Sequence, residues 1–108
     1  MFQRVVVTGL GTVNPLSVNV EDFWENLILN KNGINKISHF DTSQFKTKIA
    51  AEVNLDLSTY FNKKELNKID RFTSFALIDS DQAIKDANIN NSLDKNRIGV
   101  ILGSGIGG

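Results

Sequence analysis

Apolar residues recur along this chain in two spacings, continuous runs and helical stripes, and the alternation between them predicts its elements. Val5, Val6 and Val7 form an unbroken β-branched run, the pattern of a strand covered on both faces. Gly9 and Gly11 end it, and Pro15 keeps the connection extended. Val20, Phe23, Trp24, Leu27 and Ile28 then follow at helical spacing, with Glu21, Asp22 and Glu25 between them. That stripe predicts an amphipathic helix with acids in its first turn and Trp24 in the core. Asn30, Asn32 and Gly33 terminate it, with Gly33 expected as the left-handed cap.

Residues 34–47 carry turn formers around Ile37, Phe40 and Phe45, an ordered loop pinned by a few aromatics. Ile49 to Val53 reads as a second strand. Asn62 followed by Glu65 has the form of a capping box and predicts a short helix through Lys68. A longer helix is predicted from about Asp70 to Ala87, with Phe72, Phe75, Ala76, Ala83, Ile84 and Ala87 on the 3.6 period and Asn88 closing it. Leu77 and Ile78 widen its stripe, which implies burial between layers. Ile98 to Leu102 is a third unalternating run and leads into Gly103-Ser104-Gly105-Ile106-Gly107-Gly108. Strand, helix, strand, helix, strand is the order of an α/β layered fold with largely parallel pairing. No repeat, low-complexity tract or linker divides residues 1–108, so they read as one domain. Its sheet is unfinished at the glycine turn, so the domain is expected to be partial, cut short of its full length.

Composition narrows the possibilities. Twelve basic against twelve acidic residues give no net charge, so no global attraction to nucleic acid or anionic lipid exists, and any charged docking must come from a local patch. There is no cysteine, which removes disulfides, thiolate metal sites and a cysteine nucleophile from these residues. The opening MFQRVVVTG runs directly into a strand pattern without a secretory or transit leader, so a cytoplasmic protein is expected. No apolar run approaches the roughly eighteen residues that span a bilayer.

Gly103, Gly105 and Gly108 satisfy G-x-G-x-x-G after a predicted strand. A dinucleotide-binding turn, however, belongs in the first strand-helix unit with an acidic residue about twenty positions on, and neither condition is met. Gly9 and Gly11 lack the third glycine and meet Pro15 where a helix should begin. Close approach of a neighbouring element accounts for these glycines better. His39, the one histidine, has no nucleophile placed to pair with it and reads as a structural or solvated loop residue.

Taken in order, several segments resemble the start of the β-ketoacyl-acyl carrier protein synthases that extend long acyl chains. They are Val5-Val6-Val7-Thr8-Gly9-Leu10-Gly11, Asn14-Pro15-Leu16, Phe23-Trp24, Ser38-His39-Phe40-Asp41-Thr42-Ser43, Lys63-Lys64-Glu65, Asp70-Arg71-Phe72 and the closing Gly103-Ser104-Gly105-Ile106-Gly107-Gly108. The resemblance runs the length of the chain. It implies a thiolase-like fold, two similar α/β halves in alternating αβαβα layers, of which these residues form the first part of the N-terminal half. It further implies a cytoplasmic homodimer that performs decarboxylative Claisen condensation of acyl and malonyl groups carried on acyl carrier protein. No metal or redox cofactor is needed. The family's cysteine, two histidines and lysine lie beyond this segment, so the resemblance assigns no catalytic residue here.

Two features are implied to touch substrates. In long-chain synthases the isoleucine of the glycine turn lines the acyl pocket near the subunit boundary, which carries over to Ile106. The segment that binds the acidic carrier carries Lys63, Lys64 and Lys68, with Asn67 standing at one of the family's basic positions. The alternative is a chain-length-factor-like partner that keeps the fold without the nucleophile.

Overall fold

A computed structural model describes all 108 residues. Its elements in order are helix α1 (Val20–Ile28), strands β1 (Asn35–Lys36) and β2 (Ile49–Ala50), helix α2 (Lys63–Leu66) and helix α3 (Arg71–Asp86). Single 3₁₀ turns stand at Leu57–Thr59 and Lys95–Arg97. No helix is long and apolar enough to cross a membrane.

The three predicted helices form where local chemistry caps them. Asn19 begins α1 by accepting the Asp22 N–H at 2.8 Å, which satisfies one of the orphan donors of the first turn. Its C-terminus departs from expectation. Asn30, not Gly33, takes the left-handed conformation (φ 52°). The Asn30 N–H then reaches the Leu27 carbonyl and the Lys31 N–H the Asn26 carbonyl, a complete Schellman closure. Asparagine tolerates this region better than other side chains, so the helix stops three residues earlier than the glycine suggested. Asn88 (φ 54°) closes α3 in the same way, through Lys85 and Ile84.

The Asn62–Glu65 capping box is present in both directions, each bond 2.9 Å long. The helix it starts ends at Leu66, not Lys68. Asp70 must already be extended (φ −76°, ψ 161°) to begin α3, which leaves room for only a tight turn from the Lys68 N–H to the Glu65 carbonyl.

The N-terminal segment lies along α3. Asp79, Ala83 and Ala87 stand at i, i+4 and i+8, one stripe of that helix. A Cβ at Gly9 or Gly11 would fall inside the Ala83 or Asp79 carbonyl oxygen, so only glycine permits this approach. Two side chains one helical turn apart then take up alternate backbone donors: the Leu10 N–H donates to Asp86 at 2.9 Å and the Thr12 N–H to Gln82 at 3.1 Å. Gln82 in turn donates to the Val18 carbonyl at 2.6 Å. Gly11→Ala in the complete protein is expected to cost about 1–3 kcal/mol by forcing the segment off the helix. Chemical denaturation measures it, and an unchanged midpoint would mean that the segment can lift without loss.

The sheet is where expectation and structure part. β2 covers only the first two residues of the predicted Ile49–Val53 strand and pairs antiparallel with β1, Asn35 opposite Ala50 and Lys36 opposite Ile49. Neither Val5–Val7 nor Ile98–Leu102 is hydrogen-bonded into a sheet, and no parallel pairing forms. Val5 is 92% and Ile101 97% exposed. A strand exists only against a neighbour, and these runs have none among the 108 residues. Trp24 is likewise exposed rather than in the core, because nothing packs on that face of α1. Only Ser74 and Ile78, one turn apart in the middle of α3, are buried. Ser74 satisfies its hydroxyl by donating to the Asp70 carbonyl at 3.2 Å.

Candidate functional site

The capping box fixes α2 as a short, solvated helix, and this decides how its lysines stand. Lys63 and Lys64 lie on it and Lys68 in the turn that follows; all three are exposed and none forms an ion pair. Three ammonium groups against the single carboxylate of Glu65 within six residues leave a local positive excess on a chain of zero net charge.

Beyond Lys68 the chain enters α3, whose first residue works as a clasp that the sequence did not reveal. The Arg71 guanidinium donates to the Val53 carbonyl at 2.6 Å and the Leu55 carbonyl at 3.3 Å, and stands 5.0 Å from the Phe75 ring centroid. It ties the start of α3 to the segment that leads into α2. The glycine turn meets the same helix end: a Cβ at Gly107 would lie 3.5 Å from Phe72 Cζ, and one at Gly108 2.7 Å from Asp70 Cγ. Ile106 itself is fully exposed and lines none of the clefts among these residues. The lysines and Ile106 thus belong to segments that flank the start of α3, one entering it and the other packed against it.

A second unanticipated hub is Glu52. Its carboxylate accepts the Ser38 N–H at 2.9 Å, the Ser38 hydroxyl at 2.8 Å and the His39 N–H at 3.2 Å. The Ser38 N–H is the largest of the effects that hold this carboxyl below the usual range. His39 Nδ1 stands 3.9 Å from the same carboxylate, which gives the one histidine an ordering role. Phe40 and Phe45 meet edge to face at 5.6 Å, the aromatic pin expected of this loop. Asp41, its carboxyl also lowered by the Ser43 N–H and hydroxyl, tightens the turn between them. The only signal for Glu52 was an acid inside an otherwise apolar strand pattern.

The most apolar cleft, about 450 Å³, lies between α3 and the turns before α1 and α2, lined by Val18, Tyr60, Phe61, Leu77 and Ile78 among others. Its lining includes no serine, cysteine or histidine, and the exposed Lys85 among its lining residues is paired with Asp81.

Known proteins place this arrangement. The profile of the family described as "Beta-ketoacyl synthase, N-terminal domain" matches residues 2–108. Among curated proteins, the 3-oxoacyl-[acyl-carrier-protein] synthase 2 of Staphylococcus aureus strain COL is 41% identical over 108 residues, 98% of this chain and 26% of that protein. The enzyme of the same name from Synechocystis is 42% identical over the same share of each. Among solved structures, the ishigamide ketosynthase/chain length factor superposes with a TM-score of 0.71 at 25% identity, covering 81% of this chain and 22% of that one. The chain therefore spans about a quarter of the length of the curated relatives it matches. A ketosynthase neighbour agrees with the thiolase-like α/β class expected from the sequence, and the pieces that carried the resemblance all fall within the matched span. With that span reaching from residue 2 to residue 108, the chain belongs to the β-ketoacyl synthase family and matches within its N-terminal portion.

Proposed function

We propose that the complete protein to which these residues belong elongates fatty acyl chains on acyl carrier protein, and that this segment supplies recognition rather than chemistry. The observation that carries this reading is 41–42% identity, across nearly the whole segment, to proteins named 3-oxoacyl-[acyl-carrier-protein] synthase 2. The looser match to a ketosynthase/chain length factor, at 25% identity, supports a non-catalytic partner less well. With no cysteine here, the nucleophile must come from elsewhere in the protein.

The proposed reaction has two stages. A cysteine thiolate attacks the acyl thioester and the carrier thiol leaves. Malonyl-acyl carrier protein then loses carbon dioxide, and the electron pair of the broken C–C bond forms an enolate. That carbon attacks the acyl-enzyme carbonyl and expels the thiolate, which lengthens the chain by two carbons. Such a step needs an activated thiolate and donors for the enolate oxygen. Lys63, Lys64 and Lys68 hold the acidic carrier, Ile106 lines the acyl pocket, and the working enzyme is a homodimer.

The test is release of carbon dioxide from malonyl-acyl carrier protein by the complete protein charged with an acyl primer, together with formation of the lengthened product. Absence of both would sink the reading. Within it, Ile106→Phe is expected to shorten the longest primer accepted, because a phenyl ring overpacks a channel sized for methylenes by about 1–3 kcal/mol. Short primers should be spared. Equal losses on short and long primers would make Ile106 a residue of the fold instead.

A further inference from the structure

The glycine turn is free at one end and seated at the other. A Cβ placed on Gly103 or Gly105 would meet nothing within 4 Å, and Ile106 projects into solvent. Gly107 is different: it adopts φ +86°, and a Cβ placed on it would lie in ordinary contact with the Phe72 ring. Gly108 lies closer still, since a methyl group there would stand 2.7 Å from Asp70 Cγ and 2.8 Å from Oδ2, so the Asp70 side chain would have to shift to admit it.

Asp70 is built for this contact. It has the backbone of an N-cap, yet its side chain makes no capping hydrogen bond to α3, and its carboxylate lies against the turn instead. The platform is fixed from behind. Arg71, the next residue, is held by the Val53 and Leu55 carbonyls and by Phe75, so the first turn of α3 is tied to a separate part of the chain.

We propose that Asp70 and Phe72 are positioning residues for chain-length selection: by seating Gly107 and Gly108 they set the direction in which Ile106 projects. The inference rests on Ile106 being an acyl-pocket residue. Gly107 alone separates Ile106 from the contact at Gly108, so a shift of the seat reaches Ile106 across a single residue. A methylene chain in a fitted channel is sensitive to displacements on the order of 1 Å.

The test uses the complete synthase with short and long acyl primers. Gly108→Ala drives a methyl group into Asp70 and is expected to lower kcat/KM on long primers about tenfold more than on short ones. Asp70→Gly clears the seat while leaving a residue tolerated at an N-cap. Combined with Gly108→Ala, it is expected to recover most of the long-primer loss, a non-additivity that a general folding defect does not produce. Phe72→Leu withdraws the ring from Gly107 and gives a second route should Gly108→Ala fold poorly; it too should move the long-to-short ratio.

Ile106→Phe run in parallel separates the two ideas. If it alters the chain-length profile while Gly108→Ala acts equally on all primers, or Asp70→Gly rescues nothing, or Phe72→Leu leaves the ratio fixed, the seat is wrong and the pocket reading survives. If Ile106→Phe leaves the profile flat, the pocket reading fails and takes the seat with it.

Discussion

Titrated with urea on its own, the 108-residue chain is expected to lose its helices gradually over a broad range, to bind a hydrophobic dye before any denaturant is added, and to associate as its concentration rises. The reason is geometric. The chain exposes 9366 Å², whereas a compact protein of 12.0 kDa exposes about 6000 Å². Its radius of gyration is 17.3 Å against about 13 Å for a compact chain of this length. Cooperative unfolding requires a core whose loss is shared by every element, and here only Ser74 and Ile78 are buried. Meanwhile Val5, Val7, Trp24, Val100, Ile101 and Leu102 each stand more than half exposed. Apolar runs with unpaired backbone groups are templates for other chains. A sharp, concentration-independent transition of a monomer with no dye binding would show instead that these residues fold as a unit. A complete synthase that covers these runs should unfold cooperatively.

This openness also explains which features could be read from residues alone. Helices were legible because their ends are local: Asn19 and Asp22, or Asn62 and Glu65, are three residues apart and decide the matter between them. Where two local signals competed, as Asn30 did with Gly33, the nearer one won, since Asn30 already closes the Schellman bonds. Strands were a different problem. The β-branched runs at Val5–Val7 and Ile98–Leu102 carry the composition of buried strands, but composition cannot supply a partner. Side chains that join distant segments were equally silent. Arg71 reaches back 16 and 18 residues, Glu52 14, and Gln82 64 and 70, and nothing near any of them announces its target. For the candidate site the division is the same. The lysines of α2 were legible as an exposed patch because a capping box makes a short solvated helix, whereas the surroundings of Ile106 depend on residues far from it in sequence.

Reversal of two charges in the α2 segment, Lys64→Glu with Lys68→Glu, is expected to raise the KM of the complete enzyme for acyl carrier protein about tenfold at low salt and to leave turnover at saturation nearly unchanged. The lysines are exposed and unpaired, so in the wild type they approach an acidic carrier without first breaking a contact of their own. In the proposed docking role their contribution is long-range attraction, which acts on the association rate, and the substituted glutamates turn it into repulsion. Screening sets the signature. At physiological ionic strength the Debye length is about 8 Å and at molar salt about 3 Å, so the defect should shrink steadily as salt is added. The fold should tolerate the change, because neither side chain takes part in the Asn62–Glu65 capping box or in any ion pair. A small pantetheine thioester reaches the same chemistry without the carrier protein and provides the control: on it the double variant should match the wild type. If activity on the small thioester falls as far as on the carrier-bound substrate, the lysines act through folding or the pocket. If the defect persists undiminished in high salt, the contact is not electrostatic steering, and α2 docks its partner by some means other than its charge.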